Sequence, residues 1–222
     1  MKSIADNDLP TRGFARFACI LAVAGLLAGC AGIIDKPVQR TLYDFGPGAP
    51  ASSTPAQPGN LPPLVLADID AAGALDGFSV LYRLAYADAN QLRPYAQARW
   101  SAPPPQLLRQ RLRELLGRDR VVLGLGEAAS LNREGGNQPR VLRIELEEFS
   151  HVFDSPASST GLLRLRATLL ENTVAGERLL AQRTFVQQQP APSADAPGGV
   201  RALSASVDAA AAAIGQWLQQ VR

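Results

Sequence analysis

Few side chains in this 222-residue sequence have the types that do chemistry, and His151 is its single histidine. Ser150, Asp154 and Ser155 stand close to it, so the residue types of a hydrolytic triad are present, in which a base takes a proton from a nucleophilic hydroxyl. Their spacing does not suit that task. Neither serine sits in a Gly-x-Ser-x-Gly turn, and one strand cannot aim three neighbours at a common point. His151 therefore reads as an ordinary strand-end histidine. Glu147 and Glu148 are adjacent, so on a regular strand they should face opposite ways and fail as an acid–base pair. Gly124-Leu125-Gly126 opens like a phosphate loop, but the third glycine and a following helix are not evident, so the stretch reads as a turn. One histidine and two cysteines, Cys19 and Cys30, leave no nitrogen and sulfur ligand set for a metal. The sequence names no catalytic residue and no metal site, and an enzyme is not expected.

Cys30 is the exception. It follows the apolar run Phe17 to Ala28, which is preceded by Lys2, Arg12 and Arg16, the order of a secretory signal peptide. The run is shorter than the roughly 20 apolar residues that cross a bilayer, so cleavage is expected rather than a retained span. Leu27-Ala28-Gly29-Cys30 resembles a bacterial lipobox, in which the thiol takes a diacylglycerol, the chain is cut between Gly29 and Cys30, and the new amine is acylated. Small residues at Ala28 and Gly29 let the peptidase approach. Cys19 would leave with the signal, so no internal disulfide can form afterwards. The expectation is a signal peptide at 1–29, a lipidated tether at 30–40 and a domain at 41–222. The covalent diacylglycerol and N-acyl lipid on Cys30 are the sole expected non-protein groups. Each buried methylene adds about 0.8 kcal/mol, so several acyl chains make a lasting anchor.

Residues 30–222 keep 193 residues, enough for one sizeable core. The first 29 residues take three basic and two acidic side chains with them, leaving a net charge of +1. Such a balance, with 6% aromatic residues, offers neither the basic stripe nor the stacking platform of a nucleic-acid binder.

The elements follow from periodicity. Thr41 to Gly46 alternates as a strand, Pro47 to Pro63 has the composition of an extended loop, and Leu64 to Ala71 resumes as a strand. Gly77 to Asp88 is a further strand, followed after a turn by Asn90 to Trp100, where Pro94 demands an edge or a late start. Ser101 to Gly117 is a helix, with prolines in its first turn, Leu108, Leu112, Leu115 and Leu116 on one face, and Gly117 as its stop. Arg109, Arg113 and Glu114 would lie on its wet face. Arg120 to Gly126 reads as a short buried strand. Three strands then span Arg140 to Asp154, Gly161 to Asn172 and Glu177 to Gln189, apolar on one face and charged on the other. Glu145 and Glu147 are set to pair with Arg164 and Arg166 across strands. Ala191 to Gly199 reads as a loop, and Val200 to Val221 holds helical spacing. The expected fold is α+β, a single mostly antiparallel sheet with two amphipathic helices packed on one face.

Leu92 to Leu116 resembles the signature of the ABC-type transport auxiliary lipoprotein family. The resemblance rests on the opening Tyr43-Asp44-Phe45, an Arg-Tyr-x-x-x-x-Trp-x-x-Pro-Pro stretch entering a helix, and Trp217 near the end of the last helix. Here Pro94 separates Arg93 from Tyr95, and the match runs from about Thr41 to Gln220. The resemblance implies a non-catalytic outer-membrane lipoprotein on the periplasmic face, serving an MCE-type lipid transport system. In such systems an inner-membrane permease and ATPase work with an MCE protein that bridges the periplasm, and the lipoprotein docks that bridge. Lipoproteins of this kind can assemble as a homo-oligomeric ring. Ala31, where retention in the inner membrane would call for aspartate, accords with sorting to the outer membrane. Tyr95 and Trp100 are the first candidates for a partner surface, and the alternative for Trp100 is to fill the core beneath the helix starting near Pro103. Two other readings stay open: a module that itself encloses lipid, and an envelope scaffold of the lipopolysaccharide-insertion or Tol-associated kind.

Overall fold

The structure is a computed structural model that describes residues 39–48, 61–71, 73–131 and 138–221. The chain divides into units Met1–Gln39 and Arg40–Arg222, and the second is the one described. Cys30, Gly29 and the signal and tether expected before Thr41 lie outside the described residues, apart from Gln39 and Arg40.

The second unit contains strands β1 Thr41–Tyr43, β2 Leu64–Ala71, β3 Ser79–Leu84, β4 Ala89–Trp100, β5 Val122–Leu123, β6 Arg140–Phe153, β7 Ser159–Thr173 and β8 Gly176–Pro190. Its helices are α1 Ala85–Asp88, α2 Pro104–Leu116, α3 Leu125–Leu131 and α4 Ala196–Gln220. All the strands join one sheet around β6. One edge of β6 pairs with β7, which pairs with β8. Its other edge is shared: β2 runs beside Arg140 to Leu146, and β3 beside His151 to Phe153. From there β5 pairs with β2, while β4 and then β1 extend the other half.

The expectation of a mostly antiparallel sheet is corrected. Among the described strands, four of the seven pairings are parallel, namely β1 with β4, β2 with β5, β2 with β6 and β3 with β6. A period of two marks a face but says nothing about direction. The β6–β7–β8 hairpins are antiparallel because short turns join them, whereas β2 and β3 meet β6 through long connections that permit parallel pairing. Pro94 falls opposite Leu81 of β3 at a level where β1, which pairs only with Ala98 to Trp100, does not reach. On that side β4 is an edge at Pro94, as the proline demands.

Both long helices cover the same face. Leu107, Leu108, Leu112 and Leu116 of α2 and Val200, Leu203, Val207, Ile214 and Leu218 of α4 are buried against Leu142, Ile144, Leu146, Leu163, Leu165 and Leu169 of the sheet. The start of α4 lies earlier than its apolar spacing suggests. Asp195 caps it by accepting from the Gly198 N–H at 2.8 Å, and Pro197 suits the first turn, so Ala196 to Gly199 belongs to the helix and not to the loop. Gly161 of β7 is where the helix comes closest. A Cβ there would stand 2.5 Å from the backbone of Ala202 and Leu203, and Ser206 Oγ donates to the Gly161 carbonyl at 2.7 Å.

Three other expectations change. The strand expected through Asp88 stops at Leu84, and Ala85–Asp88 is a single helical turn. The strand expected over Arg120 to Gly126 is reduced to Val122–Leu123. The Gly124 turn opens helix α3, whose Ala128 packs with Val65, Ala67, Val141 and Leu170 on the opposite face of the sheet. Glu127 accepts from the Gly124 N–H at 2.6 Å and pairs with Arg113 at 2.9 Å, so this helix end is filled by its own carboxylate.

Candidate functional site

β6 carries the residues that could have done acid–base chemistry. His151 is wholly buried, and its Nδ1 is hydrogen-bonded to the Tyr95 hydroxyl of β4 at 2.9 Å. Phe153 lies 4.3 Å from its ring, centroid to centroid, and Tyr82 lies 4.6 Å from the Tyr95 ring. The first turn of α4 closes the pocket, because a Cβ on Gly199 would come within 2.3 Å of Nδ1. Burial pushes the imidazole down to about 4, against the opposing pull of Asp195. His151 is therefore a neutral ring without access to solvent. It is no base for an external substrate. The same burial raises the Tyr95 phenol above its ordinary range, with Tyr82 adding to the effect.

Ser155 lies in the turn after β6, where its Oγ accepts from the backbone N–H of Ser158 at 3.1 Å. Ser150 is fully buried. The structure thus brings neither hydroxyl to an open site with His151. The expectation for Glu147 and Glu148 is corrected by a β-bulge between Leu146 and Glu148. Glu147 becomes the extra residue, Glu148 stands opposite Arg164, and both carboxylates reach the charged face. Each has its own partner there. Glu147 meets Arg164 at 3.6 Å and also Arg166, and Glu148 meets Arg83 at 2.9 Å.

Trp100 is 1% exposed, with Phe45 and Phe149 each 5.5 Å from its ring. Of the two readings open from the sequence, the structure places it in the core, and its proposal as a partner surface is corrected: the ring is enclosed by the strand–helix junction it sits under. Tyr95 is half-buried, its hydroxyl committed to His151. Among the described residues no group of three or more His, Cys, Asp and Glu side chains could hold a metal ion.

What the surface offers is concave. A groove of about 500 Å³ runs between α2 and α4, lined by Arg111, Arg118 and Arg120 together with Leu115, Leu116 and Ala211 among others. Arg111 is held by Asp208, Nε to Oδ1 at 2.7 Å and Nη2 to Oδ2 at 3.0 Å, a two-point contact that raises its affinity for the proton further. Arg120 is only 7% exposed. Sequence reasoning passed over it as the first residue of an apolar strand, and the signal it could have used is a lone cation heading "RVVLGLG".

Fold and surface together define a single-sheet α+β domain in which His151 and Ser150 of β6 are buried and Glu147 and Glu148 are paired with arginines, while its open features are grooves beside the helices. The chain belongs to the family described as the ABC-type transport auxiliary lipoprotein component, whose model matches residues 43–215. The solved structure of protein XCC0632 from Xanthomonas campestris is 20% identical, with a TM-score of 0.63 over 80% of this chain and 94% of that one. A second, described as an uncharacterized protein, is 15% identical, with a TM-score of 0.56 over 81% of this chain and 99% of the other. Both share the fold. No curated protein matches the chain.

Proposed function

We propose that the protein is an outer-membrane lipoprotein of the periplasmic face, anchored through acylated Cys30, that docks the MCE-type periplasmic protein of an ABC lipid transporter without catalysing a reaction. The observation that supports this reading most is the family match over residues 43–215, which spans the sheet and nearly all of both covering helices. The burial of His151 and the pairing of Glu147 and Glu148 with arginines agree with it, since the strongest acid–base candidates are used up inside the fold. A tether also suits docking. Confinement near a membrane raises the effective concentration of the domain, so that a weak contact becomes effective.

The test is crosslinking in intact cells, recovery through a C-terminal tag and identification by mass spectrometry, beside a Cys30→Ala variant. Recovery of an MCE-type protein, reduced in the variant, is the expected result. Recovery of only a β-barrel or a Tol-type partner would overturn the transport reading.

A further inference from the structure

We propose that the groove between α2 and α4 is a binding site for the phosphate headgroup of an anionic lipid, held on Arg120. Arg120 is 7% exposed and lines the groove, yet among the described residues it has no hydrogen bond and no carboxylate within ion-pair distance. A guanidinium is almost never enclosed without a counter-charge, because the loss of hydration goes uncompensated. Burial accordingly lowers the affinity of Arg120 for its proton, and Asp119 only partly offsets this.

The other charges of the groove are already spoken for. Arg111 holds Asp208 and Glu114, and Arg118 reaches Glu114 at 3.8 Å. Asp119 shares the lining but stands outside ion-pair distance of Arg120, so the arginines of the groove other than Arg120 have close carboxylate partners and Arg120 has none among the described residues. An anion is what the site lacks. A planar guanidinium fork fits phosphate oxygens in a two-point contact.

The wall beside Arg120 points to an amphiphile. Leu115, Leu116, Ala211 and Ala212 line the same groove, and Gly215 leaves its floor low, since a Cβ there would meet only Leu116 Cδ2 at 3.6 Å. A volume of about 500 Å³ lies within the usual range for a small-molecule pocket, roughly 300–1,000 Å³. A headgroup on Arg120 would leave the start of an acyl chain on this apolar wall. The site stands on Arg120 and the groove's own lining and on no assumed docking surface, so either proposal can fail while the other stands.

The experiment is isothermal titration calorimetry on the protein as purified from cells in dodecyl maltoside, with dihexanoyl phosphatidic acid, inorganic phosphate and dihexanoyl phosphatidylcholine as probes. Saturable binding of phosphatidic acid, tighter than that of inorganic phosphate or phosphatidylcholine, is expected. Arg120→Gln should weaken it at least about tenfold, the size of effect that follows loss of a hydrogen bond to a charged group. Ala212→Glu, an exposed helical position in the groove, should weaken it as much, and it keeps the test decisive if the first variant misfolds. Without ligand, Arg120→Gln should melt no lower than the parent, because it removes an uncompensated buried charge. No saturable binding, or binding unchanged in both variants, would overturn the site. Equal affinity for inorganic phosphate and phosphatidic acid would overturn its assignment to lipid.

Discussion

A buried imidazole makes the protein sensitive to acid. In the folded chain His151 titrates at about 4, against 6.5 for an unperturbed ring. Between those values the unfolded chain binds the extra proton and the folded chain does not, so stability falls as pH drops from 6.5 towards 4 and levels off below. Melting temperatures measured across that range should show the decline, and His151→Phe should flatten it. Tyr95→Phe removes the single hydrogen bond to Nδ1, with an expected cost of about 1 kcal/mol in chemical denaturation. Trp100→Ala should be far more damaging, about 3–5 kcal/mol, because the ring is enclosed between Phe45 and Phe149 and the cavity it leaves cannot refill. A loss of partner binding by Trp100→Ala in a fully stable protein would contradict this placement. Both aromatic residues stand out in the sequence, but exposure is a property of the assembled core, and only there do their roles separate.

At the level of elements, the contact between β7 and α4 sets the spacing of helix and sheet. Gly161→Ala pushes a methyl group into the backbone of Ala202 and Leu203, so the helix must lift, at a cost of about 1–3 kcal/mol. Asp195→Ala removes the cap of α4 and should cost about 1 kcal/mol. Thermal melts of the two variants separate these effects, because Asp195→Asn should recover most of the cap while no residue larger than glycine suits position 161. The α2 and α4 helices were legible because their apolar residues recur at helical spacing. The start of α4 and the existence of α3 were obscured by glycine and proline, which signal loops in general but here occupy a first turn or flank a carboxylate cap.

For the whole molecule, the charged face of β6, β7 and β8 sets register more than stability. The pairs of Glu145 and Glu147 with Arg164 and Arg166 are set by strand alternation and occur in the structure. Because these arginines are about half exposed, Arg166→Ala should cost under about 1 kcal/mol and the loss should shrink further in high salt, as urea denaturation with and without added salt will show.

The sequence by itself determined the composition, the apolar faces of strands and helices, and the resemblances to a transport auxiliary lipoprotein family and, around Cys30, to a lipobox, since each is written in local order and spacing. Only the tertiary structure decided that β2 and β3 run parallel to β6, that a bulge turns Glu147 and Glu148 to one face, that Trp100 is core, and that Arg120 is enclosed without a counter-charge among the described residues. Strand direction, bulges and the burial of a single charge depend on residues far apart in the chain, and periodicity within one segment holds no record of them.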